Sequence, residues 1–353
     1  MMPRKVRFSH CATQIAAAAL LSACCLQPAA AQTAESAADA EAAAQQNWRE
    51  VISHSPQVEE GCFQATYPSL AWERVECKEP PAGLHMAPRK RGAVEAEVVG
   101  NGFDYVAQSS GLISETLGTF PTVKGVKTEK SVGVAAFGDG GILGPNEYTL
   151  QINTQYTSTT PACKNHSGCT VWQQFVYATD YYSYPNKGEA AVFIEYWLIN
   201  WGSSACPSGW SSDGGGDCVL NSKLVEVPDV KPTTLGTMSL AATAKKGGTD
   251  TAVFTTGTKA YTFSGKDSVA DIASVWKESE FNVFGDAGGS EAVFNKTGVS
   301  VTVKLALTDG STAAPTCVGP NEAGSTGETN SLTLGACTAA GGSSPSIQFP
   351  ESN

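Results

Sequence analysis

Three short stretches place carboxyl and amide side chains inside otherwise apolar, aromatic runs. Thr170-Val171-Trp172-Gln173-Gln174-Phe175-Val176-Tyr177 carries two glutamines, and Phe193-Ile194-Glu195-Tyr196-Trp197-Leu198-Ile199 carries one carboxylate. Trp276-Lys277-Glu278-Ser279-Glu280-Phe281-Asn282-Val283-Phe284 mixes acid and amide with apolar residues. With the period of two of a strand, Phe281 and Val283 face one side and Glu280 and Asn282 the other. An uncompensated carboxylate or amide on a buried sheet is costly, so such groups meet hydrogen-bond partners or line a cleft. Catalysis by this chain would have to come from carboxylates, amides, hydroxyls or lysine. For any one of them alone, a solvent-facing strand is the simpler account.

Other chemistries are narrowed by exclusion. After Arg91 the sole histidine is His166, between Cys163 and Cys169. One imidazole without partners assembles neither a serine triad nor a Cys–His pair nor a histidine-ligated metal site. No Cys-x-x-Cys pair or Cys/His cluster has zinc spacing, so no metal is expected. Gly138-Asp139-Gly140-Gly141, Asp213–Gly216 and Gly285–Gly289 lack the Lys-Ser/Thr ending of a phosphate loop and read as turns in preference to calcium sites. No cofactor is expected.

The rest of the chain must position these groups. Arg4, Lys5 and Arg7 precede an apolar run, Ile15 to Leu21, the pattern of a signal peptide over residues 1–31. Cleavage after Ala29-Ala30-Ala31 would give a secreted or periplasmic protein. Leu21-Ser22-Ala23-Cys24 would instead give an outer-membrane lipoprotein, with the membrane reached only through an anchor on Cys24. Residues 32–91 comprise a low-complexity segment, expected to be a mobile tether over 32–47, and a Cys62–Cys77 loop. Pro88-Arg89-Lys90-Arg91-Gly92 reads either as a plain linker or as the end of a prosegment. Eight cysteines lie beyond the signal peptide, as neighbours in sequence: Cys62 and Cys77, Cys163 and Cys169, Cys206 and Cys218, Cys317 and Cys337. In an exported chain they predict four local disulfides. The formal charge is -11, and every arginine lies at or before Arg91. That makes nucleic acid an improbable partner and suits either a soluble secreted surface or an enzyme working in acid. The protein is expected to be a monomer.

Short alternating runs broken by Gly, Pro, Asn and Asp predict antiparallel strands at 148–156, 170–178, 191–200, 234–242, 251–254, 259–263, 281–284 and 299–308. One short helix is expected, capped by Asp267 and carrying Val269, Ile272, Ala273 and Trp276. The fold class is all-β: an antiparallel β-sandwich, a concanavalin-like jelly roll, over residues 92–310. Residues 311–353 form a carboxyl-terminal extension with the Cys317–Cys337 loop, expected to cover a sheet edge.

The order of features resembles that of glutamic peptidases of the eqolisin type and, more distantly, neprosin-like ones. The resemblance rests on Trp172-Gln173-Gln174-Phe175-Val176, Ile194-Glu195-Tyr196-Trp197, Lys259-Ala260-Tyr261-Thr262-Phe263-Ser264-Gly265 and Ser279-Glu280-Phe281-Asn282-Val283. Ile113–Phe120 is similar to the family's opening strand. Phe281 stands where the family has Trp. The resemblance implies an acid endopeptidase acting on polypeptide, with Glu280 as general base on water and Gln174 or, one register away, Gln173 stabilising the oxyanion. Glu195 and Trp197, on one strand face, would line the substrate groove. Two other functions fit the residues. One is a glycan-binding or glycan-hydrolysing sandwich using Trp197, Trp201 and Trp210 as a platform and Glu280 with Glu195 as its acids. The other is a non-catalytic surface structural protein.

Overall fold

The computed structural model describes residues 29–81, 104–135, 140–164, 166–182, 188–202, 205–213, 215–320 and 327–353. The signal peptide through residue 28 with Cys24, the basic link 88–92, and Gly138, Asp139 and Gly214 of the glycine-rich turns lie outside the described residues. Two units are distinguished, residues 1–42 and 43–353. The described part of the first is helical.

Antiparallel strands dominate. The larger sheet has ten strands, running in order Glu73–Val75, Gly61–Thr66, Lys259–Lys266, Thr249–Thr256, Met238–Ala244, Glu115–Lys124, Ser300–Thr308, Ser346–Ser352 and Thr333–Leu334, with Thr338–Ala340 also paired to Ser346–Ser352. The second has nine: Ser211–Ser212, Cys218–Asn221, Glu189–Ile199, Thr170–Ala178, Thr149–Thr154, Glu278–Phe284, Val106–Gln108 and Thr316–Val318, with Val225–Pro228 also on Glu189–Ile199. A smaller sheet joins Thr329–Asn330, Ser290–Phe294, Glu129–Gly133 and Gly144–Pro145. The two large sheets share one core, as a sandwich requires. Leu150, Ile152, Phe175, Tyr177, Val192 and Ile194 come from the second sheet, and Leu240, Phe254, Phe263, Val301 and Leu305 from the first. Tyr177 stacks on Phe254 with centroids 4.1 Å apart.

All four disulfides form between sequence neighbours, Cys62–Cys77, Cys163–Cys169, Cys206–Cys218 and Cys317–Cys337. Two local expectations are corrected. The stretch read as a mobile tether lies within a helix, Ala29–Ser53, because its alanines are the best helix formers and its end has a face to bury. Trp48 and Ile52 pack there on Ala65 and Ala260. The helix expected after Asp267 is instead two 3-10 turns, Asp267–Val269 and Ile272–Ser274. The Asp267 carboxylate accepts from the backbone N–H groups of both Gly247 and Ala273, which ties the segment to a neighbouring turn instead of capping a helix.

Segments outside the expected sandwich are woven into it. Gly61–Thr66 pairs with Lys259–Lys266 over six positions. The carboxyl-terminal region contributes strands to all three sheets, through Thr316–Val318, Thr329–Asn330 and Ser346–Ser352.

The two large sheets meet tightly beneath the third chemical stretch. The Phe281 ring lies over Gly118, where an added Cβ would overlap it, and meets Phe120 at 5.2 Å. Gly118 is therefore glycine because no room exists for a methyl. Gly118→Ala is expected to destabilise the protein by about 1–3 kcal/mol through overpacking. Denaturant unfolding of the variant measures this, and an unchanged midpoint would show that the ring shifts freely.

Candidate active site

Alternation sorts the polar residues of the nine-stranded sheet onto two faces. On Thr170–Ala178, Val171, Phe175 and Tyr177 enter the shared core, so Gln173 enters it too, and Trp172, Gln174 and Val176 face away. Gln173 is fully buried between the sheets and donates from Nε2 to Asp250 Oδ2 at 2.8 Å. Burial holds the Asp250 carboxyl well above the usual carboxylate range. The Gln173 register alternative thus points into the core, and Gln174 points into a groove on the outer face.

That groove is lined by Gln151, Gln174, Glu195, Asp286 and Glu328, with Trp172, Phe193 and Tyr181 among its apolar walls. It is narrow, with a cavity volume of about 30 Å³. The strand pairing explains why these groups meet. Glu195 lies opposite Gln174, Gln174 opposite Asn153, and Asn153 opposite Glu280, giving one polar row across four adjacent strands. Asn153 and Gln151 were not singled out in the sequence. The signal was there: Thr149, Gln151 and Asn153 alternate with Leu150 and Ile152, which marks a polar face on a strand whose other face is core.

The row is wired by amides. Gln174 Nε2 donates to Asn153 Oδ1 at 3.1 Å and to Gln151 Oε1 at 3.0 Å. Asn153 Nδ2 donates to Glu280 Oε2 at 2.8 Å, and Gln151 Nε2 donates to Glu328 Oε2 at 3.1 Å and to Thr149 Oγ1 at 2.9 Å. Donation therefore runs outward from Gln174 to a carboxylate on each side. Glu280 is fully buried, and Asn282 beside it donates to Asp104 and Glu351 at 2.6 Å each. Trp197 shares the face of Glu195 but is fully buried, packed among Tyr156, Trp172, Ile199 and Val219. Glu195 keeps slight exposure in the groove.

Several carboxyls lie in or beside this groove, and none of its described lining residues is Lys, Arg or His. Burial, then the charge of Glu328, pushes Glu195 up to about 8, with the Trp197 indole opposing. Glu129, buried with neither carboxylate oxygen hydrogen-bonded by a described side chain, is pushed up to about 9. Burial also raises Asp286 well above the carboxylate range, reinforced by Glu328, Glu129 and Asp180. Asp286 is held by its turn: the Ile142 N–H donates to its backbone carbonyl at 2.8 Å, and Gly141 lies where a Cβ would overlap that oxygen. Among the described residues no group of three His, Cys, Asp or Glu side chains could hold a metal ion together.

The sign of the pH dependence follows. Below the ordinary carboxylate range both folded and unfolded chains carry these protons. Between that range and about 8 for Glu195 or 9 for Glu129, the unfolded chain ionises and the folded chain does not, so stability falls as pH rises. The melting temperature is expected to be highest near pH 4–5 and to drop by about 5–10 °C by pH 8. Calorimetry across that range tests it, and Glu129→Gln should flatten part of the slope. A melting temperature that rises with pH would contradict the assignment.

No known family matches the chain, and no curated protein matches it. Among solved structures it is similar to SCP-B, a member of the eqolisin family of peptidases, in a complex with the tripeptide Ala-Ile-His. The identity is 12%, the match covers 73% of this chain and 98% of that one, and the TM-score is 0.24. This is a remote resemblance only.

Proposed function

We propose that the chain is an exported acid endopeptidase in which Glu280 and Gln174 act together across Asn153. The observation that carries this reading is the row itself. Gln174 and Glu280 are two strand spacings apart, about 10 Å between backbones, on one face with the shorter Asn153 between them. Their longer side chains can converge on a water above Asn153, which bonds to both.

In this mechanism Glu280 takes a proton as the water oxygen attacks the scissile carbonyl carbon. The Gln174 amide turns an N–H from its present acceptors to the oxyanion. The C–N bond then breaks as the proton held by Glu280 passes to the leaving amine. Glu195, protonated throughout the acid range, is fitted to donate a hydrogen bond to substrate, not to act as base. A polypeptide needs more room than the groove now offers, so binding has to displace side chains at its mouth, Glu328 among them. The four disulfides support export, and no described helix is long and apolar enough to cross a membrane.

The glycan reading finds less support. Trp197 and Trp201 are buried, and Trp201 stacks on His166 at 3.6 Å, so the indoles form no open platform. Glu195 and Glu280 are three strand spacings apart, with Gln174 and Asn153 between them in the row.

Cleavage of a denatured protein between pH 3 and 7 by the chain from Gln32 tests the proposal, with circular dichroism as folding control. Glu280→Gln is expected to abolish turnover, and Gln174→Ala and Asn153→Ala to lower kcat by about 10²–10³-fold and about 10-fold. Full activity in a folded Glu280→Gln variant would overturn the mechanism, and loss only in Glu195→Gln would move the essential carboxyl there.

A further inference from the structure

We propose that the Asp286 end of the groove is a subsite for an organic cation. On the peptidase reading of the groove, its occupant is the lysine or arginine side chain of a polypeptide substrate. Asp286 is fully buried and lines the groove. Its Oδ2 accepts from Thr179 Oγ1 at 3.2 Å, whereas its Oδ1 has no hydrogen-bond partner among the described residues. A buried acceptor left unpaired is costly, and one that faces a groove is matched by a donor arriving from outside.

The surroundings specify the donor. Glu195 and Glu328 place two further carboxyls in the same groove, and among the described residues that line it there is no Lys, Arg or His. Around Asp286, the groups that face it electrostatically are Glu328, Glu129 and Asp180, with Glu147 reached through the same Thr179 hydroxyl at 3.4 Å and Tyr181 on the wall. Every one is acidic or phenolic. The carboxyls are too dispersed for three of them to close on one metal ion. An ammonium or guanidinium group spreads its donors over a wider shell and suits that spacing. The stacked Tyr181 and Phe193 rings, centroids 4.4 Å apart, offer an aromatic wall for the alkyl stem and the charge. The water-sized space of about 30 Å³ accommodates an ammonium head.

A cation there favours ionised carboxyls, so its binding must release protons and strengthen as pH rises from 5 to 8. The test is calorimetric titration of the intact chain with Nα-acetyl-lysine amide and its norleucine counterpart, at pH 5, 7 and 8, in buffers of different ionisation enthalpy. Lysine amide is expected to bind at least about 10-fold more tightly than norleucine amide at pH 7, with proton release. Asp286→Asn should remove that preference and Glu328→Gln should reduce it, in folded variants. Equal affinity for the two ligands, lysine binding unchanged in both variants, or displacement of the ligand by micromolar calcium would overturn the proposal. The readout does not depend on turnover. Lysine binding without proteolysis would leave the subsite standing and remove the peptidase. Proteolysis without lysine binding would do the reverse.

Discussion

The described lining of the groove on the outer face of the nine-stranded sheet carries carboxyls and amides and no Lys, Arg or His, and the arrangement of the site follows from that constraint. An amide can face a carboxylate only with its nitrogen. Once Glu328 and Glu280 accept from Gln151 and Asn153, the oxygens of those two amides must turn inward, and both receive the Gln174 nitrogen. The orientation of Gln174 is therefore set from both sides by acids it does not touch. Such a network is costly if half satisfied, and here each of these amides has partners on two neighbours.

Rigid packing beneath the sheet holds the row in register. Phe281 is locked over Gly118, and it immediately follows Glu280 in a strand paired on both sides. A one-residue slip would exchange Glu280 for Phe281 on the outer face of the sheet, at the loss of the aromatic contact with Phe120. The carboxyl-terminal strands matter for the same reason. Ser346–Ser352 brings Glu351 to Asn282, and the chain near Thr329–Asn330 brings Glu328 to Gln151, so part of the site arrives from far along the sequence.

Strands were more legible in the sequence than the site. Thr170–Ala178 was read to the residue because its alternation is bounded by Cys169 and by Thr179 and Asp180, and the disulfides were readable because each joins sequence neighbours. The choice between Gln173 and Gln174 was not readable, since both faces of that strand are buried and periodicity cannot say which one is core. Asp286 and Glu328 carried no local signal at all. One sits in a glycine turn and the other in the extension, and only tertiary pairing brings them beside Glu195. The failed helix after Asp267 is a similar case, in which a side chain that matches a cap found tertiary donors instead.

The acidic lining of the groove also links acidity and recognition. A buried carboxyl can be accommodated by a proton or by a bound positive charge, and each excludes the other. At low pH the protons suffice, and the raised carboxyls then favour the folded chain. As pH rises, burial opposes ionisation of Glu195 and Asp286, and a cation entering the groove would offset that cost. On the proposed reading, protons and a basic substrate side chain compete for the same acidic groups. The pH at which catalysis is most effective would then be a compromise, between a base at Glu280 that must be ionised and a subsite at Asp286 that must yield its proton to ligand. The two ends are joined by the amides of Gln151, Gln174 and Asn153, so a ligand that draws Glu328 away from Gln151 can alter the hydrogen bonding of Gln174 without moving the backbone.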